Sequence, residues 1–139
     1  MKGGDIKHLI PQREPILMVD ELLDVQGEQA HTSLTIRPAN YFLDDQGRLE
    51  ASGLIEHMAQ SASAFAGYQA VQAGAANPPV GYIGEVKNFQ CYHYPKVGDV
   101  LHTVICFGPE VEGVILCSGI TYVDEQKLAE TQMKIYIPK

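Results

Sequence analysis

Residues 50–76 read EASGLIEHMAQSASAFAGYQAVQAGAA, the only long stretch of the chain with the pattern of a helix. Its main apolar positions recur at helical spacing and form one stripe, made of Leu54, Met58, Ala62 and Phe65. Most of the other positions are Ala, Ser or Gly, so we expect the helix to be enclosed rather than to lie on a surface. We predict a central helix that begins near Glu50 and ends at 74–76, where Asn77-Pro78-Pro79 stops it.

Glu56 and Gln60 are four residues apart, so their side chains project from one face of this helix. Ser63 and Gly67 continue that face with small or polar residues. A carboxylate is costly to bury without a hydrogen bond or an ion pair, and enzymes use such burial to tune a general acid or base. Alternatively, Glu56 lies in the first turns, where the helix dipole favours a negative charge and solvent reaches it. The helix alone does not decide between these two interpretations.

Histidine and cysteine positions predict no metal site. The five histidines and three cysteines show neither H-x-x-x-H nor C-x-x-C spacing. His57 lies roughly 100° around the helix from Glu56, so we expect a packed or surface histidine there. His93 is surrounded by aromatic residues in CYHYP, where we also expect packing. The sequence has no glycine-rich phosphate loop and no G-x-S-x-G elbow, and we expect no cofactor.

The bulk composition predicts one globular domain over residues 1–139, because 45% of the residues are hydrophobic and 19% are charged. A net charge of −7 argues against nucleic acid as a partner. Three cysteines, an odd number, are placed in apolar or alternating runs, which is typical of free thiols in a reducing compartment. The N-terminus lacks a signal segment, and no apolar run approaches the roughly 18 residues of a bilayer span. We therefore expect a cytoplasmic location and no membrane span.

Before the helix, the pattern predicts a short helix, two strands and a loop. The short helix covers 5–10, and the first strand covers 16–25, with a bend allowed at 21–23. The second strand, 30–36, alternates, with His31 pointing to water together with Ser33 and Thr35. Residues 37–50 form the loop, which contains a strong turn signal, Asp44-Asp45-Gln46-Gly47.

After the helix, alternation and turn residues predict four strands, over 80–94, 100–107, 114–123 and 128–137. They are joined by a turn at 95–99, a hairpin through 108–113 and a turn at 124–126. Two strands, one long helix and four more strands predict an α+β domain in which an antiparallel sheet curls around the helix.

Four motifs in this order resemble the hot-dog-fold 3-hydroxyacyl-acyl carrier protein dehydratases, over nearly the whole chain. Residues 9–25, LIPQREPILMVDELLDV, are similar to the family signature L-P-h-R-x-P-h-L-h-V-D, and Tyr41-Phe42 resembles the aromatic pair before the catalytic loop. GLIEHMAQSA resembles the central-helix motif, with Glu56 at the catalytic acid and Gln60 at its associated glutamine. EVKNFQCYHYPKVGDVL is similar to the strand–turn–strand that ends in P-x-x-P-G-D. The resemblance implies a hot-dog fold.

The loop before the helix departs from that family. Hot-dog dehydratases carry a G-H-F-P-G loop whose histidine is the general base at the substrate α-carbon. The corresponding loop is FLDDQGRLEA, with Asp44 and Asp45 near that place and no histidine between residues 31 and 57. An aspartate near a helix N-terminus is expected to be ionised and a weak base. Glu50-Ala51 replaces the family's Pro-Gly, although the amide of Ala51 could still donate to the thioester carbonyl.

A subgroup of the family, the small dehydratase-like proteins of aryl polyene clusters, resembles this chain in keeping the helix glutamate without the loop histidine. Hot-dog dehydratases build each active site across a dimer. The resemblance therefore implies a composite site, in which this chain supplies Glu56 and a histidine-bearing homologue supplies the base.

Three functions follow from the resemblance. In the leading hypothesis the chain is a subunit of a 3-hydroxyacyl-acyl carrier protein dehydratase of fatty acid or polyene biosynthesis, with Glu56 as general acid and Gln60 orienting it. The acyl chain of the carrier-protein or CoA thioester would lie in an apolar tunnel beside Met58, Ala62 and Phe65. Basic residues would face an acidic carrier protein, and the candidates are Arg13, Arg37, Arg48, Lys87 and Lys96.

The two alternatives use the same helix differently. A homodimeric acyl-thioesterase would hydrolyse the thioester with Glu56 and Gln60, with Asp44 or Asp45 placing water. A non-catalytic acyl-binding subunit would retain Glu56 without using it. The dehydratase and binding hypotheses predict a hetero-oligomeric partner, whereas the thioesterase hypothesis does not.

Overall fold

The computed structural model describes residues 3–74 and 82–136, and in this part of the chain one six-stranded antiparallel sheet wraps a long helix. The long helix, α2, contacts every strand, and the short helix α1 packs against it. The elements are α1 (Gly3–Leu9), β1 (Glu21–Gln26), β2 (Gln29–Thr35), α2 (Ala51–Gln72), β3 (Tyr82–Cys91), β4 (Val100–Val111), β5 (Val114–Val123) and β6 (Gln126–Tyr136).

The sheet has the strand order β1-β2-β4-β5-β6-β3, so β1 and β3 form its two edges. All neighbouring strands pair antiparallel. Consecutive strands form the pairs β1–β2, β4–β5 and β5–β6, whereas α2 carries the chain from β2 across the sheet to β3 at the far edge. The element order predicted from the sequence is confirmed, and so is the α+β arrangement around one helix.

The apolar stripe of α2 faces the sheet. Its four members have no exposed surface: Leu54, Met58, Ala62 and Phe65. Gly119 of β5 lets the helix approach, because a Cβ built there would lie 3.2 Å from Met58 Cε. The helix ends at Gln72, slightly earlier than predicted, and residues 75–79 lie outside the described part.

The alternation predicted for β2 holds on one face only. Ala30, Thr32, Leu34 and Ile36 are all buried, as the pattern indicated. On the other face Ser33 is also buried and only His31 and Thr35 are half-buried, so the predicted exposure of that face is wrong. In β6 one alternating set of side chains is buried: Ala129, Thr131, Met133 and Ile135.

The first strand is shorter than the sequence predicted. It begins at Glu21, and residues 16–20 do not form a strand. The physical reason is that backbone groups of Ile16 and Met18 form hydrogen bonds with side chains of α2. They are therefore not available to pair with a neighbouring strand. The expected bend is present as a register shift between Leu22 and Asp24.

The β4–β5 hairpin is tighter than predicted. β4 runs on to Val111, and only Glu112-Gly113 turns, both with positive φ. Pro109 is accommodated inside the strand because the pairing is irregular between Phe107 and Glu110, where the missing N–H of proline costs no ladder bond. β3 ends at Cys91, three residues before the predicted end.

The three cysteines lie in strands and are free thiols, with Cys106 exposed and Cys117 buried. Burial raises the pKa of the Cys117 thiol to about 12. Within residues 3–74 and 82–136, none of the helices combines the length and apolar character needed to cross a membrane.

Candidate active site

Gln60 joins the central helix to the segment that precedes β1. Its buried Oε1 accepts the Met18 N–H at 2.6 Å, and its Nε2 donates to the Ile16 carbonyl at 2.9 Å. The same Nε2 donates to Glu56 Oε1, also at 2.9 Å. The amide cannot be reversed, because that would oppose donor to donor at Met18 and acceptor to acceptor at Ile16.

Glu56 is half-buried and is the only Asp, Glu, Lys or Arg side chain in α2. Its Oε1 accepts the hydrogen bond from Gln60, whereas its Oε2 has no hydrogen-bond partner in the described part of the chain. Since Gln60 can only donate here, a proton carried by Glu56 belongs on Oε2. The predicted pairing of the two residues on one helical face is therefore present, with one oxygen held and the other available.

His57 is locked into the core and is not available as a base. Its ring is fully buried, with Nδ1 2.6 Å from the Met18 carbonyl and Nε2 2.8 Å from Thr103 Oγ1. A carbonyl only accepts, so Nδ1 carries the proton and the Thr103 hydroxyl donates to Nε2. Burial lowers the pKa of His57 to about 4, so the ring is neutral near pH 7. Of the two positions expected for His57, packed or at the surface, the structure shows the packed one.

The two loop aspartates differ in their surroundings. Asp44 accepts the N–H groups of Arg48 and Gln46 and the Arg48 Nε, and these bonds, led by the Arg48 backbone N–H, lower the pKa of its carboxyl. Asp44 thus stabilises its own turn and is a poor base. Asp45 is exposed. Among the described residues no hydrogen bond joins either aspartate to Glu56 or Gln60.

Ala51 is the first residue of α2 and is half-buried. Its N–H lies in the first turn and so has no acceptor inside the helix. Glu50 precedes it as N-cap without a side-chain capping bond. This geometry is compatible with the predicted role of the Ala51 amide as a donor to a thioester carbonyl.

A family model described as ApeP-like, ApeP dehydratase, matches residues 4–139 of the sequence. The chain belongs to the ApeP-like dehydratase family. The prediction of a hot-dog dehydratase relative close to the aryl polyene group is thereby confirmed.

One relative agrees with this assignment, and two solved structures share the fold. The chain is 30% identical over 141 residues to the 3-hydroxyacyl-[acyl-carrier-protein] dehydratase FabZ of Syntrophotalea carbinolica, covering 97% of this chain and 94% of that protein. A chain of the dehydratase heterocomplex ApeI:P from Xenorhabdus doucetiae superposes with a TM-score of 0.88 at 19% identity, covering 96% and 91%. The E. coli PaaI protein superposes with a TM-score of 0.68 at 8% identity, covering 84% and 81%. These structures confirm the predicted hot-dog fold.

The predicted tunnel residues of this ApeP-like chain are all closed in by the core. Met58, Ala62 and Phe65 have no exposed surface, and Phe65 stacks on Phe107 with ring centroids 4.3 Å apart. The half-buried side of α2 beside Glu56 instead presents small side chains such as Ala59 and Ser63. Contact of the three core residues with an acyl chain stays a prediction.

Four of the five basic candidates have local partners. Three form ion pairs with nearby acids: Arg37 with Asp20, Arg48 with Asp44, and Lys87 with Glu85. Arg13 donates to backbone carbonyls at the end of α1. Lys96 is exposed and forms no ion pair in the described part of the chain.

The remaining histidines correct two expectations. His31 is half-buried rather than free in water, with its Nε2 3.2 Å from His102 Nδ1 on the neighbouring strand β4. His93 is exposed, so the expected packing among aromatic residues is wrong. In residues 3–74 and 82–136 no cluster of three His, Cys, Asp or Glu side chains could hold a metal ion.

The hydrogen-bond partners of His57, and those of Gln60 in the segment before β1, were missed from the sequence. Thr103 and Thr121 are fully buried on β4 and β5, with hydroxyl oxygens 2.6 Å apart. Threonine at an inward position of an otherwise apolar strand indicates that a buried polar partner exists. No sequence pattern identifies which residue that partner is.

Proposed function

We propose that this ApeP-like chain is a subunit of a dehydratase that acts on 3-hydroxyacyl thioesters, with Glu56 as its general acid. One observation carries the proposal: the only charged side chain of α2 is half-exposed, with Oε1 held by Gln60 and Oε2 free. A carboxyl in this state can give one proton from a defined position. The FabZ relative is named for the same reaction.

The elimination divides two proton transfers between two groups. A base removes the α-proton, and the released electron pair forms the Cα–Cβ double bond as the Cβ–O bond breaks. Protonated Glu56 delivers its Oε2 proton to the departing hydroxyl, which leaves as water. The enoyl thioester is the other product, and the protonated base and ionised Glu56 re-equilibrate through solvent.

The base comes from a second subunit in this proposal. His57 has both ring nitrogens engaged in the core, and Asp44 is committed to its own turn. A histidine-bearing dehydratase homologue would bring the missing imidazole to Glu56. The name of the structural relative, a dehydratase heterocomplex, supports an assembly of two different chains. The edge strand β3, exposed along 84–88, is a surface to which a second sheet could add.

The substrate class is an acyl thioester, carried on acyl carrier protein or on CoA. The Ala51 amide at the start of α2 would bind the thioester carbonyl and so stabilise the charge that develops as the α-proton leaves.

The test is a product assay on a 3-hydroxyacyl-acyl carrier protein. The purified chain is assayed alone and after mixing with a histidine-bearing homologue, and mass spectrometry separates enoyl product from free acid. We expect enoyl product from the mixture only. Glu56→Gln should lower its rate by about 100-fold or more without preventing assembly, because general acid catalysis contributes about 10²–10⁴-fold.

Glu110→Gln is the matched control, because Glu110 is an exposed glutamate on β4. Free acid as the product would identify a thioesterase instead. Full activity of the Glu56→Gln complex would identify a non-catalytic subunit, and enoyl product from the chain alone would refute the composite site.

A further inference from the structure

A series of buried hydrogen bonds leads from the sheet to Glu56. The Thr121 hydroxyl donates to Thr103 Oγ1 at 2.6 Å, and the Thr103 hydroxyl donates to His57 Nε2 at 2.8 Å. His57 Nδ1 donates to the Met18 carbonyl, and the Met18 N–H donates to Gln60 Oε1, both at 2.6 Å. Gln60 then donates to Glu56.

Met18 is the centre of this series because both of its backbone groups are bound by α2. His57 and Gln60 lie three residues apart on the helix, and each binds one group of Met18. Together with the Gln60–Ile16 bond, these contacts fix the segment before β1 against the helix. The orientation of the Gln60 amide depends on where this segment lies.

Packing alone does not require a histidine here. Sheet-facing positions near it, Leu54 and Met58, hold apolar residues. A buried imidazole needs hydrogen-bond partners to offset its desolvation. A buried polar network in which every donor and acceptor is paired instead holds the groups that it connects in one fixed geometry.

We propose that His57 is a positioning residue, which acts through Met18 and Gln60 to hold Glu56 Oε1 and leave Oε2 facing the substrate. The Thr103 hydroxyl keeps the His57 proton on Nδ1, where Met18 needs it. This inference rests on the proposed function, in which Glu56 is the general acid. It adds residues that do not touch the substrate.

Thr103→Val in the assembled complex tests the proposal, with Thr32→Val as the matched control. Thr32 is equally buried, and its hydroxyl bonds to Ser61 and not to the Met18 contacts. We expect Thr103→Val to lower kcat about tenfold with little change in KM, because small displacements of a catalytic group cost one to two orders of magnitude. Thr32→Val should lower Tm by a similar amount while kcat stays within about twofold.

Two His57 variants give a second test. Asparagine retains a donor close to the place of Nδ1, whereas leucine does not. We expect His57→Asn to recover most of the kcat that His57→Leu loses. In the wild-type chain, nitrogen NMR of the imidazole should show the proton on Nδ1, a readout that needs no catalysis.

Equal kcat in Thr103→Val and Thr32→Val would overturn the proposal, as would a proton on Nε2 in the wild type. An active Glu56→Gln complex would refute the proposed function itself. The three results are distinguishable. The kcat comparison tests the hydrogen-bond network, the NMR spectrum tests the protonation of the His57 ring, and the Glu56→Gln complex tests the carboxylate.

Discussion

At the scale of single residues, the neighbours of a side chain decide its role more than its type does. His57 and Glu56 are adjacent in the chain, yet the imidazole is enclosed and neutral while the carboxylate is half-exposed. Their side chains leave the helix in directions about 100° apart, so one meets the sheet and the other meets the open side. Gln60 lies between the two environments and connects them.

His57 predicts an acid-dependent loss of stability. Its pKa is about 4 in the folded chain against 6.5 for the unfolded group, so the unfolded state binds more protons between these values. Stability should therefore fall as pH drops from about 6.5 to 4, by up to about 3 kcal/mol from this residue. Urea unfolding of the wild type and of His57→Asn across this range measures the effect. A pH dependence that is unchanged in His57→Asn would refute it.

At the scale of elements, close approach of backbones sets where glycine is required. Gly67 of α2 lies against the end of α1, and a Cβ built there would be 2.5 Å from the Leu9 carbonyl oxygen. The neighbour is backbone rather than a flexible side chain, so the two helices would have to separate. The observed distance between α1 and α2 thus requires glycine at this position.

We expect Gly67→Ala to destabilise the chain by about 1–3 kcal/mol, the usual cost of overpacking, despite the better helix propensity of alanine. Chemical denaturation measures the change in the free energy of unfolding. Ser63→Ala, one turn earlier on the half-buried side of the same helix, is the control and should be neutral or slightly stabilising. Stabilisation by Gly67→Ala would show that α1 is not held at this distance.

At the scale of the whole molecule, the sheet has a side enclosed by α2 and, in the part of the chain that the structure describes, an opposite side without a covering helix. Cys106 and Cys117 illustrate the division, since the first is exposed and the second is buried with a pKa raised to about 12 by that burial. A buried thiol with so high a pKa reacts only when the fold opens.

Thiol labelling should therefore report global unfolding. We expect Cys106 to react rapidly with a thiol reagent in the native state. The labelling rate of Cys117 should instead be set by the unfolding rate or by the fraction of unfolded chains. Mass spectrometry of labelled peptides with increasing urea separates these sites from half-buried Cys91, and Cys106→Ser removes the fast labelling at position 106. Rapid native labelling of Cys117 would show that the core around β5 opens locally.

The sequence by itself determined the features that depend on neighbours along the chain. The helix, its apolar stripe and the Glu56–Gln60 pair follow from a repeat of 3.6 residues, which no distant contact has to supply. The family also followed from local motifs. Alternation predicted most strands. The start of β1 was wrong because α2 binds the preceding backbone, and the end of β4 was wrong because the turn is shorter than predicted.

Only the tertiary structure decided what the site residues do. Gln60 bonds to groups 42 and 44 residues away, and His57 to groups 39 and 46 residues away. Such partners depend on how the sheet closes over the helix, and no periodicity encodes that. The exclusion of His57 as a base, the commitment of Asp44 to its turn and the free oxygen of Glu56 all arise from these long-range or loop contacts, because hydrogen bonds are directional and are satisfied only after the chain has folded.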